Sequence, residues 1–266
     1  MHTGLPSFTA MIVAGARAVA GVDACAEHLV PRPFGPAFGA LRGSRVARLL
    51  SLGLVDHLEL RTRAIDDVVA NVAAPQLVVL GAGLDARAYR MSVLAEATVF
   101  EVDHPSTQAF KRTRAGKLTR AAHEVRFVGV DFERDDLGER LGASEHDPTK
   151  PTTWIWEGVT PYLTEEAIDA TLAVVEARSA AGSALVMTYG TPDLESVPRA
   201  LQPLVLPGFR LLGEDLRGLV TRERAHALVR AHGFDVTADE GIAELARRYG
   251  LREPRLVIPE RVLVAR

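Results

Sequence analysis

An apolar run that ends in two closely spaced glycines constrains the fold of this chain more than any other feature. Leu77 to Leu80 are continuously apolar, which predicts a strand buried on both faces of a sheet. The glycines Gly81 and Gly83 predict a tight turn where the backbone comes close to a ligand, and Ala86 is small enough for close packing of helix against strand. Many α/β proteins share this pattern, so alone it indicates a cofactor site no more strongly than a structural turn.

Three further buried strands are predicted downstream, and each ends in, or is followed by, an acidic residue. They cover residues 98–103, 125–131 and 154–156. In Rossmann-like folds, an acid about 20 residues beyond the glycines accepts hydrogen bonds from ribose hydroxyls. Asp103 lies 22 positions after Gly81 and fits that role. Glu157, directly after the fourth strand, is expected to face the crevice where parallel sheets bind ligands.

Two other groups of residues admit two interpretations each. Asp131 and Phe132 stand where the base of a bound adenosine would lie, with a carboxylate that can accept from the exocyclic amine; alternatively, Asp131 caps the next turn. Arg61 and Arg63 lie in a helix predicted over residues 44–72 from its apolar spacing. They can bring positive charge to one pocket rim, or they can be solvated on the helix surface.

The remaining elements predict one domain over residues 1–266. Helical character is expected at 8–30, and the prolines at 30–36 favour an extended loop. Further strands are predicted at 184–189, from 234 and at 261–265, and further helices at 222–232 and 241–249. Residues 190–220 are rich in Pro, Gly and Leu and predict a lid or substrate wall. The expected parts are a helical cap (1–72), a cofactor-binding core (73–189), the insertion (190–220) and the end of the sheet (221–266).

Composition excludes few classes of function. The chain has 266 residues, 47% of them hydrophobic, so it can bury a sizeable core. Its net charge of −3 and scattered arginines do not indicate nucleic-acid binding. A single cysteine, Cys25, and no Asp/His cluster at ligand spacing mean that no metal site is expected. The sequence has no signal peptide and no apolar run of about 18 residues, so we expect a cytoplasmic protein without membrane contact.

Four ordered sequence blocks together resemble one known family. The blocks are Leu-Gly-Ala-Gly-Leu-Asp-Ala-Arg-Ala-Tyr-Arg (80–90), Phe-Glu-Val-Asp-His-Pro (100–105), Val-Gly-Val-Asp-Phe (128–132) and Trp-Glu-Gly-Val-Thr-Pro-Tyr-Leu (156–163). Over residues 45–190, the chain resembles the bacterial branch of the leucine carboxyl methyltransferase family. The resemblance implies an α/β fold of class I methyltransferase type, with a Rossmann-like seven-stranded sheet, an N-terminal helical extension, a lid insertion, and S-adenosyl-L-methionine as cofactor.

The resemblance also implies roles for individual residues. Gly81 and Gly83 match the turn beneath the amino-acid portion of the cofactor, and Asp103 matches the ribose-binding acid. The other matches are Asp131 and Phe132 at the adenine, Glu157 near the methionine end, and Arg61 on the cofactor carboxylate. Asp85 and Arg87 match a pair for which we expect a buried ion pair that fixes the loop.

The acceptor is expected to be a small molecule, methylated on a carboxylate or hydroxyl oxygen, such as a polyketide-type acid. A carboxylate needs no general base, and the scattered histidines offer no convincing one, which favours a carboxylate. The candidates for anchoring it are Tyr162, Tyr189 and Arg63. Two alternatives remain: an NAD(P)-dependent reductase, which the lack of a Lys four residues after Tyr162 disfavours, and a non-catalytic protein that binds S-adenosyl-L-methionine.

Overall fold

A seven-stranded sheet forms the centre of the fold in the computed structural model, which describes residues 8–132, 134–192, 216–254 and 259–266. Its order is β3-β2-β1-β4-β5-β7-β6, and β7 runs antiparallel to both of its neighbours. The predicted α/β class and seven-stranded Rossmann-like sheet are therefore confirmed. The strands are β1 Gln76–Leu80, β2 Thr98–Asp103, β3 Glu124–Gly129, β4 Thr152–Trp156, β5 Ala184–Gly190, β6 Val236–Gly241 and β7 Glu260–Ala265.

Eleven α-helices accompany the sheet in the described parts of the chain. They are α1 Phe8–Ala20, α2 Ala26–Leu29, α3 Phe34–Ala40, α4 Arg45–Leu50, α5 Leu54–Val72, α6 Arg87–Arg90, α7 Pro105–Ala115, α8 Leu137–Ala143, α9 Glu165–Ala177, α10 Arg222–Ala231 and α11 Ile242–Tyr249. None of these helices is long and apolar enough to span a bilayer.

The sheet is buried on both faces because alternate residues of each central strand enter different clusters. Val78 and Leu80 join Trp154 and Trp156 on one face, which helices α8, α9 and α10 cover. Val79 faces the other way into a cluster closed by α5 and α11. The continuous apolar run that predicted β1 is therefore explained by burial on both sides.

Strand register brings the carboxyl ends of the three central parallel strands to one edge. Leu80 is opposite both Val102 of β2 and Trp156 of β4. The residues that follow these positions, Gly81, Asp103 and Glu157, consequently leave the sheet side by side. Sequence spacing alone placed each of them at a strand end, and the parallel pairing turns those ends into one site.

Several element boundaries differ from the sequence predictions. The helix expected at 8–30 is interrupted at Gly21, where φ is +80°, and the one expected at 44–72 is broken before Gly53, where φ is +105°. The extended loop predicted at 30–36 is wrong in part: α3 begins at Phe34, because Pro36 lies in the first helical turn, where a missing N–H breaks no helical hydrogen bond. Such boundaries depend on backbone conformations that apolar spacing does not reveal.

The N-terminal helices pack onto the sheet edge that carries the strand ends. Helix α1 contacts α5 through Ala16, Val19, Val55 and Leu58. It also packs on the residues that follow the glycine turn, where Ala14 and Leu84 share a cluster. The predicted helical cap therefore begins with a helix placed directly over the strand ends. The division of the chain into four parts stays a prediction.

Most of the predicted insertion, residues 193–215, lies outside the described residues. Its last described residues return to the sheet edge: the backbone N–H groups of Arg217 and Gly218 donate to the carbonyl of Pro161 at 2.8 and 3.0 Å. Val220 N–H donates to the carbonyl of Gly190 at 3.0 Å. This strip fixes the C-terminal end of the insertion beside the 3-10 turn Thr160–Tyr162.

Candidate functional site

A cavity of about 840 Å³ lies over the carboxyl ends of β1, β2 and β4. This volume falls within the range of about 300–1,000 Å³ that is typical of sites for small ligands. Helix α1 forms one wall, and the last residues of the insertion contribute Arg217. Nine residues singled out from the sequence line the cavity: Arg61, Gly81, Gly83, Asp85, Asp103, Asp131, Phe132, Glu157 and Tyr162.

The glycine turn leaves no room for side chains at its first position. Gly81 has a φ of +70°, and a Cβ atom built on it would lie 2.3 Å from Cγ2 of Val159. Gly83 also has a positive φ, +47°, and its N–H donates to Oδ2 of Asp103 at 2.5 Å. The turn is thus held against the end of β2, and its bare backbone forms part of the cavity lining.

Asp103 is oriented by backbone donors at the end of β2. Its Oδ1 accepts from the N–H of His104 at 2.6 Å, while Oδ2 accepts from Gly83. Burial raises the pKa of Asp103 above its usual value, against the lowering effect of these hydrogen bonds. Each carboxylate oxygen can accept more than one hydrogen bond, so the group can hold these donors and still receive hydroxyls from a ligand in the cavity.

Glu157 lies at the centre of a buried group of arginines. Its Oε1 accepts from Arg17 Nη2 and, at 2.8 Å, from Arg61 Nε, while Oε2 accepts from Arg87 Nη1 at 3.0 Å. Burial alone would raise the pKa of Glu157, but the charges of the three arginines hold it well below its usual range. The carboxylate stays ionised and joins helices α1, α5 and α6 to the end of β4.

Arg17 is a cavity residue that the sequence reasoning missed. It is buried in α1, where Nε donates to Thr62 Oγ1 at 3.1 Å and Nη2 pairs with Glu157. A signal was present, because Arg17 is the only charged residue in the otherwise apolar and small-residue segment 8–20. A lone charge in such a helix indicates a buried partner.

Arg61 is held from two sides. Its Nε donates to Glu157, and Nη1 donates to both oxygens of Glu260 at 3.0 Å. Arg61 and Gly158 both line the cavity, and a Cβ atom built on Gly158 would lie 3.9 Å from Arg61 Nη2, so this nitrogen lies beside Gly158 at the cavity wall. The pocket-rim interpretation of Arg61 is therefore supported by geometry, and Glu260 is a second residue that sequence reasoning missed.

The expected ion pair between Asp85 and Arg87 is confirmed. Arg87 is fully buried; its backbone N–H donates to Asp85 Oδ1 at 2.7 Å, and its guanidinium pairs with the same carboxylate. Arg87 Nε also donates to Asp66 Oδ1 at 2.7 Å. The pair thereby ties the residues after the glycine turn to α5.

Asp131 and Phe132 both border the cavity beyond the end of β3. The turn that follows is capped by another acid, since Asp135 Oδ2 accepts from the N–H of Asp131 at 2.9 Å. Phe132 packs against the cluster on that face of the sheet. Their role at an adenine base stays a prediction, and the position of the pair is compatible with it.

Two of the three anchoring candidates lie away from the cavity. Tyr189 is fully buried, and its hydroxyl donates to Asp239 Oδ2 at 2.9 Å. Arg63 is half-exposed and pairs with Glu59. It points away from the cavity because residues two positions apart on a helix do not face the same way, and Arg61 takes the inward position. Tyr162 alone of the three lines the cavity. Within the described ranges, no group of three His, Cys, Asp or Glu side chains is arranged to hold a metal ion.

We expect Gly81→Ala to weaken the fold more than Gly43→Ala, which serves as its control. Both glycines have a φ near +70°, which costs an alanine about 1–2 kcal/mol. At Gly43 nothing lies within 4 Å of the added Cβ, whereas at Gly81 it collides with Val159. Urea denaturation should therefore show that the free energy of unfolding of Gly81→Ala is lower than that of Gly43→Ala by on the order of 1 kcal/mol or more. Equal losses would contradict the close packing of this turn.

Glu260 should make the stability of the protein sensitive to acid. Burial alone would raise its pKa, but the Arg61 charge and the His57 hydrogen bond lower it from 4.5 to about 2. Between these values the unfolded chain binds the proton and the native protein does not, so the free energy of unfolding falls as the pH falls. When denaturation is measured at a series of pH values from 4.5 to 2, the free energy of unfolding should fall less steeply with falling pH for Glu260→Gln than for the wild type. Identical slopes would contradict an ionised Glu260.

Comparison with known proteins agrees with this architecture. A protein of Streptomyces coelicolor is 36% identical over 160 residues, covering 59% of this chain and 56% of that protein. One from a Mycobacterium species (strain JLS) is 36% identical over 197 residues, covering 68% and 65% respectively. Both are provisionally named S-adenosyl-L-methionine-dependent methyltransferases. The chain thus aligns with between about half and two thirds of the length of these relatives.

A solved structure shows the same fold at low sequence identity. The crystal structure of a duf574 family protein from Streptomyces avermitilis gives a TM-score of 0.62 at 17% identity, and the match covers 98% of this chain and 97% of that chain. Residues 10–176 match the family described as Leucine carboxyl methyltransferase. This range begins in α1 and includes Arg17, upstream of the resemblance noted over residues 45–190. The chain belongs to the leucine carboxyl methyltransferase family.

Proposed function

We propose that this protein is an S-adenosyl-L-methionine-dependent O-methyltransferase that acts on a carboxylate or hydroxyl of a small metabolite. The observation that carries the proposal is the convergence of a side-chain-free glycine turn with Asp103, Asp131 and Glu157 around one cavity. Family membership supports the same class of reaction.

The residues present fit this cofactor. Gly81 and Gly83 add no side chain to the turn, and at Gly81 a Cβ would collide with Val159. The cavity is large enough for a nucleoside with an amino-acid tail. When bound, S-adenosyl-L-methionine supplies a methyl group on a sulfonium, which a nucleophile attacks in line with the departing sulfur. Little is required of the protein beyond alignment of the two reactants.

We assign the two ends of the cavity to different parts of the cofactor. Asp103 accepts from the ribose hydroxyls, and Asp131 with Phe132 borders the adenine. Arg61, through the Nη2 at the cavity wall, pairs with the carboxylate of the amino-acid portion, and Arg17 adds positive charge beside it. Glu157 orients both arginines from below.

The acceptor lies, in this proposal, between Tyr162 and Arg217. Both line the cavity, and the backbone of Arg217 is hydrogen-bonded to Pro161 next to Tyr162. Among the described lining residues, the only histidine is His104, whose Nδ1 caps α7 beside Asp103. A cation and a phenol without a nearby imidazole suit a carboxylate, which is already ionised and needs no general base.

Asp103→Asn should weaken the binding of S-adenosylhomocysteine. The amide keeps the shape of the side chain but loses the negative charge, so hydrogen bonds from the ribose weaken by about 1–3 kcal/mol. Isothermal titration calorimetry measures the change, with Asp169→Asn as a control on an exposed carboxylate paired with His232. An unchanged dissociation constant in Asp103→Asn would rule out its role at the ribose.

Transfer of labelled methyl groups tests the reaction itself. Purified protein is incubated with methyl-labelled S-adenosyl-L-methionine and matched sets of small carboxylic acids and alcohols. We expect label in a product that releases methanol in base, as an ester does and an ether does not. Base-stable label would indicate a hydroxyl acceptor. Cofactor binding without transfer to any acceptor would favour a non-catalytic binding protein, and a response to NAD(P)H alone would favour a reductase.

A further inference from the structure

The last strand of the sheet contributes a buried carboxylate that contacts Arg61, one of the residues that line the cavity. Glu260 is the first residue of β7 and is only 8% exposed. It lies outside residues 10–176, which match the family, and 199 positions from its partner Arg61. Its side chain therefore joins the antiparallel end of the sheet to α5.

Glu260 and Glu157 together determine the direction of the Arg61 guanidinium. Glu157 accepts from Nε at 2.8 Å, and both oxygens of Glu260 accept from Nη1 at 3.0 Å. Because the guanidinium is planar, two fixed donors also fix the third nitrogen. That nitrogen, Nη2, is the one that lies beside Gly158 at the cavity wall.

His57 in turn fixes Glu260. Its Nε2 lies 2.6 Å from Glu260 Oε2, and the histidine is 1% exposed. Since Glu260 is an ionised acceptor, the hydrogen bond assigns the proton to Nε2. The other ring nitrogen, Nδ1, is buried and has no hydrogen-bond partner among the described residues. His57 and Arg61 lie four positions apart, so both can reach the same carboxylate from one face of α5.

We infer that Glu260 and His57 are positioning residues that aim Arg61 at the carboxylate of the cofactor. The inference rests on the proposed function, in which Arg61 Nη2 receives that carboxylate. Neither residue lines the cavity, so each acts through Arg61.

Stability alone gives a weak reason for this arrangement. Buried ion pairs lose much of their electrostatic gain to desolvation, and apolar residues of similar volume stabilise a core as well or better. A pair of acids on opposite sides of one arginine does, however, fix its orientation before a ligand arrives. Preorganisation of this kind reduces the entropy lost on binding.

Two ligands that differ only in the amino-acid portion separate this role from a structural one. S-adenosylhomocysteine carries the carboxylate that Arg61 is proposed to bind, and 5′-methylthioadenosine lacks it while keeping the adenosine and the thioether. In Glu260→Gln, an NH2 donor replaces one of the two acceptor oxygens and the negative charge is lost, so the side chain no longer holds Arg61 in a fixed direction. We expect affinity for S-adenosylhomocysteine to fall roughly tenfold, while affinity for 5′-methylthioadenosine changes less than about twofold, within ordinary surface-mutation effects.

Substitutions at His57 provide a rescue within the same test. His57→Gln keeps an N–H donor that can reach Glu260 and should retain most of the wild-type ratio of the two affinities. His57→Leu removes the donor and should shift the ratio in the direction of Glu260→Gln. Glu244→Gln is the matched control, because it neutralises a carboxylate that pairs with Arg261, the next residue of β7, at 3.0 Å and away from the cavity lining. It should leave the ratio unchanged.

Each outcome of the titrations decides the inference. Equal weakening of both ligands in Glu260→Gln would indicate a purely structural role, and tighter binding of S-adenosylhomocysteine would make Glu260 a competitor for Arg61; either result overturns it. An unchanged ratio in both Glu260→Gln and His57→Leu overturns it as well. If the wild type binds neither ligand, the proposed function fails and the inference with it. Wild-type binding with unaltered ratios in the variants contradicts the inference alone.

Discussion

The ion pairs between the buried carboxylate of Glu157 and three arginines hold the candidate site together. Glu157 follows β4, while Arg17, Arg61 and Arg87 come from α1, α5 and α6. Without these partners the charge could not remain buried, because desolvation of an isolated carboxylate costs far more than a fold of this size can offset. The helices that form the cavity walls are therefore tied electrostatically to the sheet edge that forms its floor.

Much of the fold followed from the sequence because apolar periodicity and strand-end residues are local signals. β1, β2 and β5 are found nearly where the apolar runs predicted them. The acids at the ends of β2 and β4 fall on one edge because both strands run parallel to β1. The breaks at Gly21 and before Gly53, and the start of α3 at Phe34, depend on single backbone conformations and were missed.

The candidate site was most predictable where its residues follow strands. Gly81, Gly83, Asp103 and Glu157 do so, and all line the cavity. Arg17 lines the cavity from α1, and Glu260 contacts Arg61 from β7. Their partners, Glu157 and Arg61, lie far away in the sequence, so neighbouring residues do not identify them. Tyr189 and Arg63 were candidates for anchoring the acceptor because they are polar residues of β5 and α5. Both side chains point away from the cavity, since side-chain direction depends on strand register and helix phase.

The contacts between α5 and the first residue of β7 also bear on when this protein becomes competent to bind a ligand. The bonds from His57 and Arg61 to Glu260 close loops of 203 and 199 residues, among the most non-local contacts a chain of 266 residues can make. Loop-closure entropy delays such contacts relative to local helices and to pairing of neighbouring strands. During synthesis, the glycine turn and the acids of β2 and β4 can form while β7 is still absent. A ligand that needs Arg61 in the orientation set by Glu260 would therefore stabilise only chains in which β7 has joined the sheet.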